Sequence, residues 1–388
     1  MTSGRSAPEP PSGESGHSPG ALRHLSGELA ALERRGLLRV AGPTGEDAAR
    51  LILCSNDYLG YSGEPWSKAA SVLPGGAGAS RLVSGDHPAH AHLEQELARW
   101  LGVEAALVFS SGYAANIGVL SALAAPGDVI VSDSLNHASI IDGCRLSGAT
   151  IVVVPHNAPG EVDAALARSA SVRRRWVVTE SYFSMDADIA DLGRLRDICD
   201  RHDAALIVDE AHALGVFGTQ GGGLCREAGV RPDVLIGTLG KAIGLQGAFV
   251  AGSSDLRAWL WNRARSFVFS TGLSPALAGA AATRVRDVAA NEQGRRSLHE
   301  RALQLRLGLA KLGIERTGSR GPIIPWHVGD ASETVRRSMA LRDEGIFVQA
   351  IRPPTVPAGT SRLRITAHAK LSGAQVERAL TAFARVVR

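Results

Sequence analysis

Between residues 51 and 280, short apolar runs rich in Val and Ile alternate with longer stretches of helical periodicity. A continuous apolar run of this length is typical of a strand that is buried on both faces of a sheet. The predicted strands are 105–109, 129–131, 151–154, 176–179, 205–208, 234–236 and 248–251. Alternation of such strands with helices predicts an α/β fold with a mostly parallel sheet, covered by helices on both faces.

The rest of the chain divides into segments that differ in composition and in hydrophobic pattern. Residues 1–20 are rich in Pro, Gly and Ser, so we predict a disordered tail. A helical pattern around Leu25, Leu29 and Leu32 predicts an N-terminal helical segment within 21–50. We expect a large domain over 51–280. A smaller α+β domain over 281–388 would begin with a long helix to about residue 312 and continue with short strands and helices at 334–344 and 374–387.

Charge and cysteine content exclude several functions. The 388 residues carry a formal net charge of only +4, which predicts neither a nucleic-acid nor a membrane partner. No apolar run approaches the ~18 residues of a membrane span, and no signal peptide is predicted. The four cysteines show no Cys-x-x-Cys spacing, so we predict reduced thiols, no metal site and a cytoplasmic location.

Lysine is scarce, and one of the four lysines has an unusual setting. Lys241 lies between Gly240 and Gly244, directly after the apolar run 234–236. Burial disfavours the charged form of an amine, and a neutral amine is what Schiff-base chemistry requires. Lys68, Lys311 and Lys370 have polar or charged neighbours that are typical of solvated lysines.

Polar residues follow several of the other predicted strands, at the edge where open α/β sheets bind ligands. Asp209 follows the run 205–208, and His212 comes three residues later. An acidic residue facing a pyridinium nitrogen, together with a lysine that forms a Schiff base, indicates pyridoxal phosphate (PLP).

A phosphate site and a ring-stacking group are also needed for PLP. Residues 110–116 follow a strand and open a helix, whose N–H groups favour an anion, and Gly112 allows close approach. The Thr238 hydroxyl is a second candidate for the phosphate. His137 follows the run 129–131 and offers a flat face to a cofactor ring, and Ser184 follows the run 176–179.

Together these residues resemble the α-oxoamine synthases, a group of fold-type-I PLP enzymes that condense an amino acid with an acyl thioester and release carbon dioxide. Four motifs carry the resemblance, in the same order along the chain: Ser-Asn-Asp-Tyr-Leu-Gly at 55–60, Ser-Gly-Tyr-Ala-Ala-Asn at 111–116, Asp-Glu-Ala-His at 209–212 and Thr-Leu-Gly-Lys at 238–241. Residues 351–365 and 76–85 are similar to those of members that join L-alanine to a pimeloyl thioester in biotin synthesis.

The resemblance implies a role for each matching residue. Lys241 would form the internal aldimine, Asp209 would pair with the ring nitrogen, His212 would bind the ring 3-oxygen and His137 would stack on the ring. The residues expected to hold the cofactor or its phosphate are Ser111, Gly112, Tyr113, Ser184 and Thr238, with Ser270 and Thr271 reaching the site of the partner in a homodimer. The substrate-binding residues would be Arg39, Asn56, His137, Arg352, Thr355 and Arg364.

Three other interpretations are compatible with parts of the sequence. A sister synthase would use glycine or serine with a different acyl-CoA, as 2-amino-3-ketobutyrate CoA ligase does. A non-catalytic subunit of the same fold is disfavoured because it would be expected to lack Lys241. A PLP-dependent transcription regulator is disfavoured because the polar residues 1–20 leave no room for a DNA-binding domain. Whether the acyl group arrives on CoA or on acyl carrier protein stays open.

Overall fold

The computed structural model describes residues 20–39, 51–314 and 320–387. The predicted tail at 1–20 therefore lies almost wholly outside the described residues, as does the second part of the segment 21–50. Within that segment the helix α1 spans only Leu25–Arg34. The predicted domain boundaries remain predictions.

A seven-stranded sheet forms the centre of the molecule. Its strands are β2 (Ala105–Phe109), β3 (Val129–Asp133), β4 (Thr150–Val154), β5 (Arg175–Glu180), β6 (Ala205–Asp209), β7 (Val234–Thr238) and β8 (Ala248–Gly252). Their order across the sheet is β2-β8-β7-β6-β5-β3-β4. All neighbours are parallel except those of β8, which runs antiparallel to both β2 and β7. The predicted fold class, with its mostly parallel sheet, is confirmed.

Helices cover both faces of this sheet. They are α2 (Lys68–Ser71), α3 (Pro88–Leu101), α4 (Gly112–Leu123), α5 (Ala138–Ser147), α6 (Pro159–Arg168), α7 (Leu192–Arg201), α8 (Gly223–Glu227), α9 (Ser254–Arg263), α10 (Arg265–Val268) and α11 (Pro275–Ala290). Successive strand residues point to opposite faces. In β6, Leu206 and Val208 accordingly join one buried apolar cluster, whereas Ile207 joins a second cluster on the other face.

A smaller α+β unit follows the large sheet. It contains α12 (Glu292–Lys311), β9 (Ile323–Gly329), α13 (Ala331–Asp343), β10 (Ile346–Phe347), β11 (Gln349–Ile351), β12 (Ser361–Thr366) and α14 (Gly373–Val387). Strands β11, β12 and β9 form an antiparallel sheet. The two-residue strand β1 (Leu51–Ile52) pairs in parallel with β10 and so joins an early part of the chain to this unit.

The long helix predicted to run to about residue 312 is interrupted. The backbone breaks at Asn291, whose side-chain oxygen accepts a hydrogen bond from Gly294 N and so caps a new helix. An asparagine that bonds to nearby backbone competes with the helical hydrogen-bond pattern, which explains why α11 and α12 are separate. Gly102 ends α3 in the left-handed conformation at φ 68°, which glycine adopts without a steric cost.

No helix within residues 20–39, 51–314 and 320–387 has the length and apolar character needed to cross a membrane.

Candidate active site

A cavity of about 190 Å³ lies at the carboxyl ends of the central parallel strands. Its walls bring together six residues predicted from sequence to surround a cofactor ring or its phosphate: Gly112, Tyr113, His137, Asp209, His212 and Thr238. Lys241 also lines it. The cavity therefore collects residues from the ends of five different strands, as expected for a ligand site in an open α/β sheet.

Lys241 lies in the turn between β7 and the antiparallel strand β8. Hydrogen bonds from Leu239 N to Gly247 O (2.9 Å) and from Leu245 N to Leu239 O (2.8 Å) close this turn. Gly244 has φ 72°, and a Cβ atom there would lie 2.7 Å from the backbone N of Ser62. A glycine is needed because any side chain would push the turn away from the segment beneath it.

The pKa of the Lys241 amine is lowered toward neutral pH. Burial disfavours its charged form, and although Asp209 and Glu180 favour that form, the pKa falls from 10.5 to about 8. No hydrogen bond to its Nζ is found among the described residues, and the side chain remains partly accessible from the cavity. The amine is thus available to a ligand in the cavity rather than committed to a protein partner.

Asp209 is held in a fixed orientation at the end of β6. One carboxylate oxygen accepts a hydrogen bond from the Asn116 side-chain amide (2.8 Å), and the other accepts one from Ala211 N (2.8 Å). Asn116 lies on the first turns of α4 and also bonds to the Ser139 hydroxyl. These contacts fix the position of the carboxylate on the cavity wall.

Both histidines of the cavity are kept neutral. His137 caps α5, and its Nδ1 lies 2.7 Å from the Ser139 hydroxyl. Burial lowers its pKa, although Asp209 opposes the shift. Burial also lowers the pKa of His212 to well below 6.5, and the nearby positive charges of Lys241 and Arg364 act in the same direction.

The N-terminus of α4 has the features of a phosphate cradle. The Ser111 hydroxyl caps the helix by accepting from Ala114 N, and a Cβ atom added to Gly112 would meet no other atom within 4 Å. Open space at this helix end can be filled by an anion. Thr238 Oγ1 donates to Gly247 O and accepts from Gly240 N, so the hydroxyl would donate to a phosphate only by releasing Gly247 O. The Tyr113 hydroxyl donates to Asp142.

Two of the predicted substrate-binding residues, Arg364 and Asn56, meet beside the cavity. Arg364, on β12, is buried and donates from Nε to Ser184 O (2.6 Å) and from Nη2 to the Tyr58 hydroxyl (3.3 Å). Asn56 Oδ1 lies 3.3 Å from the same hydroxyl. A guanidinium and an amide are thus adjacent, as binding of an amino-acid carboxylate would require.

A second group of predicted substrate residues lies near the N-terminal segment. Arg39 donates from Nη2 to Thr355 Oγ1 (3.0 Å), and Arg352 donates to the backbone oxygens of Gly36 and Leu38. Burial and the positive charge of Arg39 lower the pKa of Arg352. The two guanidinium groups therefore share one region, which favours an anionic ligand.

Ser270 and Thr271, which were predicted to reach the cofactor phosphate, do not line the cavity. They line a separate, very small cleft with Arg81 and Phe267. The prediction assigned them to the site of the partner subunit, and the structure describes one chain.

Three residues of the site received no role from sequence: Tyr58, Asn116 and Glu180. Glu180 lies at the end of β5, in register with Asp209 on β6, and lines the cavity. Burial, reinforced by the charge of Asp209, raises its pKa to about 8. Tyr58 and Asn116 lie within two of the motifs, and the signal that could have found Glu180 is its place at the end of a buried strand.

These residues fit PLP. The cavity offers an amine of lowered pKa, a fixed carboxylate, two neutral imidazoles and an open helix N-terminus, and the Asn116 Oδ1 atom is buried without a hydrogen-bond partner among the described residues. A PLP molecule needs a lysine, a partner for its ring nitrogen and an anion site. Among the described residues, no group of side chains suited to a metal ion is found.

Comparisons with known proteins agree with this chemistry. The family described as aminotransferase class I and II matches residues 50–383. Serine palmitoyltransferase of S. paucimobilis, solved with a PLP–myriocin aldimine, has a TM-score of 0.86 at 29% identity, covering 94% of this chain and 97% of that one. The 8-amino-7-oxononanoate synthase of Francisella tularensis has a TM-score of 0.75 at 25% identity, covering 87% and 98%.

The fold and the site define a fold-type-I PLP-dependent enzyme. Sequence relatives narrow the assignment. The 8-amino-7-oxononanoate synthase of Anaeromyxobacter dehalogenans is 46% identical over 384 residues, which is 95% of this chain and 96% of the relative. The chain belongs to the 8-amino-7-oxononanoate synthase family, whose members are PLP-dependent acyltransferases.

Proposed function

We propose that this chain condenses L-alanine with a pimeloyl thioester to give 8-amino-7-oxononanoate, carbon dioxide and the free thiol carrier, as a step of biotin synthesis. A bond forms between the alanine Cα and the acyl carbonyl carbon, the C–S bond breaks, and the alanine carboxylate leaves as carbon dioxide. The observation that carries the proposal is the Lys241 amine, whose pKa is lowered to about 8 in a cavity shared with Asp209, His137 and His212.

Lys241 is the group that would hold the cofactor and move protons. When bound, PLP supplies an electron-withdrawing ring that stabilises negative charge on the alanine Cα. With a pKa of about 8, roughly a quarter of the Lys241 amine is neutral at pH 7.5. A neutral amine can accept the Cα proton, and its ammonium form can return a proton to the product.

Three fixed side chains would orient the ring. The Asp209 carboxylate, held by Asn116 and by the backbone of Ala211, would pair with the ring nitrogen. His212 would donate a hydrogen bond to the ring 3-oxygen, and His137 would stack against one face. Ser111, Gly112, Tyr113, Ser184 and Thr238 would hold the phosphate or the ring edge.

Arg364 and Asn56 would bind the alanine carboxylate. A guanidinium fork binds a carboxylate through two parallel hydrogen bonds, and the burial of Arg364 strengthens that attraction. Arg39, Arg352 and Thr355 would contact the acyl substrate, because their shared positive region suits an anionic group on it.

The proposal extends to assembly and location. A homodimer would let Ser270 and Thr271 reach the phosphate in the partner's site, which explains their distance from the cavity of their own chain. A cytoplasmic location is supported by the four cysteines, all of which are unpaired.

Product formation tests the proposal directly. The purified protein is incubated with PLP, L-alanine and pimeloyl-CoA or pimeloyl-acyl carrier protein, and the product is identified by mass. We expect 8-amino-7-oxononanoate with alanine. Lys241→Ala should abolish turnover, whereas Lys311→Ala, at the end of α12, should not change it. Product with glycine or serine and a different acyl-CoA, but none with alanine, would refute the substrate assignment in favour of a sister synthase.

A further inference from the structure

The Tyr58 hydroxyl lies at the junction of two groups with different proposed ligands. Tyr58 is fully buried. Its oxygen is 2.7 Å from Nδ1 of His212 and 3.3 Å from Nη2 of Arg364. His212 is proposed to meet the cofactor and Arg364 the amino-acid carboxylate, so a single hydroxyl links the two halves of the site.

The direction of these hydrogen bonds follows from which of the groups around the Tyr58 oxygen carry a proton to donate. A guanidinium can only donate, so the Tyr58 oxygen accepts from Arg364. Tyr58 then has one proton to give, and its two available acceptors are His212 Nδ1 at 2.7 Å and Asn56 Oδ1 at 3.3 Å. The shorter contact is the stronger hydrogen bond. The hydroxyl therefore donates to the imidazole.

An imidazole that accepts at Nδ1 must carry its proton at Nε2 when it is neutral. Burial and the adjacent cations keep His212 neutral, and Nε2 has no hydrogen-bond partner among the described residues. His212 lines the cavity, so this N–H is the donor available to a ligand there. A neutral ring protonated at Nδ1 would instead present a lone pair and would repel a ring oxygen.

We propose that Tyr58 is a positioning residue that fixes His212 in the Nε2–H tautomer and holds Arg364 ready for the amino-acid carboxylate. This role for Arg364 rests on the proposed function, whereas the role for His212 depends only on PLP binding. Tyr58 would couple the two sites, because losing its hydroxyl removes the acceptor of Arg364 and the donor to His212 together.

The substitution Tyr58→Phe removes only the hydroxyl. Tyr182→Phe is a matched control, because Tyr182 is equally buried and its hydroxyl donates to the backbone oxygen of Arg320, outside the cavity. Both variants are first compared with the wild type by thermal unfolding. PLP affinity is then measured by titrating the apoprotein, and histidine tautomers are read from ¹⁵N spectra of histidine-labelled protein, with His212→Gln assigning the signal.

We expect the wild type to show His212 with an unprotonated Nδ1. In Tyr58→Phe the Nδ1–H form should become populated, and the PLP dissociation constant should rise about fivefold, as expected for the loss of one hydrogen bond. The KM for L-alanine should also rise about fivefold while the KM for the pimeloyl thioester stays unchanged. Tyr182→Phe should match the wild type in all three measurements.

Several results would overturn the proposal. A wild-type His212 protonated at Nδ1 would do so even if Tyr58→Phe did not fold. Unchanged PLP affinity and an unchanged His212 signal in a folded Tyr58→Phe would do so as well. Absence of turnover with alanine in the wild type would refute the proposed function instead, since the tautomer and the PLP titration are measured without substrate.

Discussion

Replacing His156 with glutamine should remove two ion pairs that join the loop before His137 to the loop after Ser184. His156 Nδ1 lies 2.9 Å from Asp133 and its Nε2 lies 2.5 Å from Asp188. Asp133 ends β3 four residues before His137, and Asp188 follows Ser184 by four residues. A protonated imidazole therefore holds the His137 loop against the Ser184 loop, and without it the two carboxylates lose the cation that they share.

The pKa of His156 sets the size and the pH range of the effect. Burial disfavours the charged ring, but hydrogen bonds to both aspartates outweigh burial and raise the pKa from 6.5 to about 10. A raised pKa stabilises the folded state fully below pH 6.5, and this stabilisation is lost as pH rises through about 10. The shift corresponds to about 5 kcal/mol at most. Since the side chain is 24% exposed, solvent screening reduces our expectation to about 2–3 kcal/mol.

Urea unfolding at pH 6, 8 and 10 measures this contribution. The wild type should be more stable than His156→Gln by about 2–3 kcal/mol at pH 6, and the difference should shrink toward pH 10. His92→Gln, at an exposed position of α3, controls for loss of a histidine and should follow the wild type. Parallel stability curves for the wild type and His156→Gln across this range would refute the reasoning.

Three further predictions concern the cavity and the substrate sites. Glu180→Gln should lower the pKa of Lys241 further, because the negative charge of Glu180 favours the ammonium form of the lysine. The pH at which PLP association with the apoprotein is half-maximal should therefore fall. An unchanged midpoint would contradict this prediction. Arg364→Lys keeps the charge but loses the fork, so the KM for alanine should rise about tenfold with little change in the KM for the thioester. Arg39→Ala should show the opposite selectivity, with a thioester KM about fivefold higher and an unchanged alanine KM.

Hydrophobic pattern located the strands well but ended them too early. The apolar run 205–208 became β6 through Asp209, and 176–179 became β5 through Glu180. The backbone ladder continues through these polar residues, since a buried carboxylate with hydrogen-bond donors or a raised pKa is compatible with a strand. Hydrophobic periodicity reports only where apolar residues lie, so it cannot show that a strand continues through a polar residue.

The hydrophobic pattern also could not predict that β8 runs antiparallel to its neighbours. A run buried on both faces has the same composition whether its neighbours are parallel or antiparallel. The short turn that carries Lys241 allows only a reversal of direction, since a parallel crossover needs a dozen or more residues. Loop length was thus the signal that could have predicted it.

The sequence predicted those site residues whose chemistry explains their place at or just after the end of a strand, such as Lys241 and Asp209. Tyr58 could not be found in this way. Its importance depends on three partners, two of which, His212 and Arg364, are separated from it by 154 and 306 residues. Such a junction is created by tertiary packing, so no local spacing indicates it.

The separation between Tyr58 and Arg364 also constrains how the protein is made. At about 5 to 20 residues per second, roughly 15 to 60 s pass between the synthesis of the two residues. Until then the buried hydroxyl of Tyr58 has no Arg364 guanidinium to accept from, and β1 gains its partner β10 only shortly before. A nascent chain can therefore complete its lysine-bearing turn well before its carboxylate site exists.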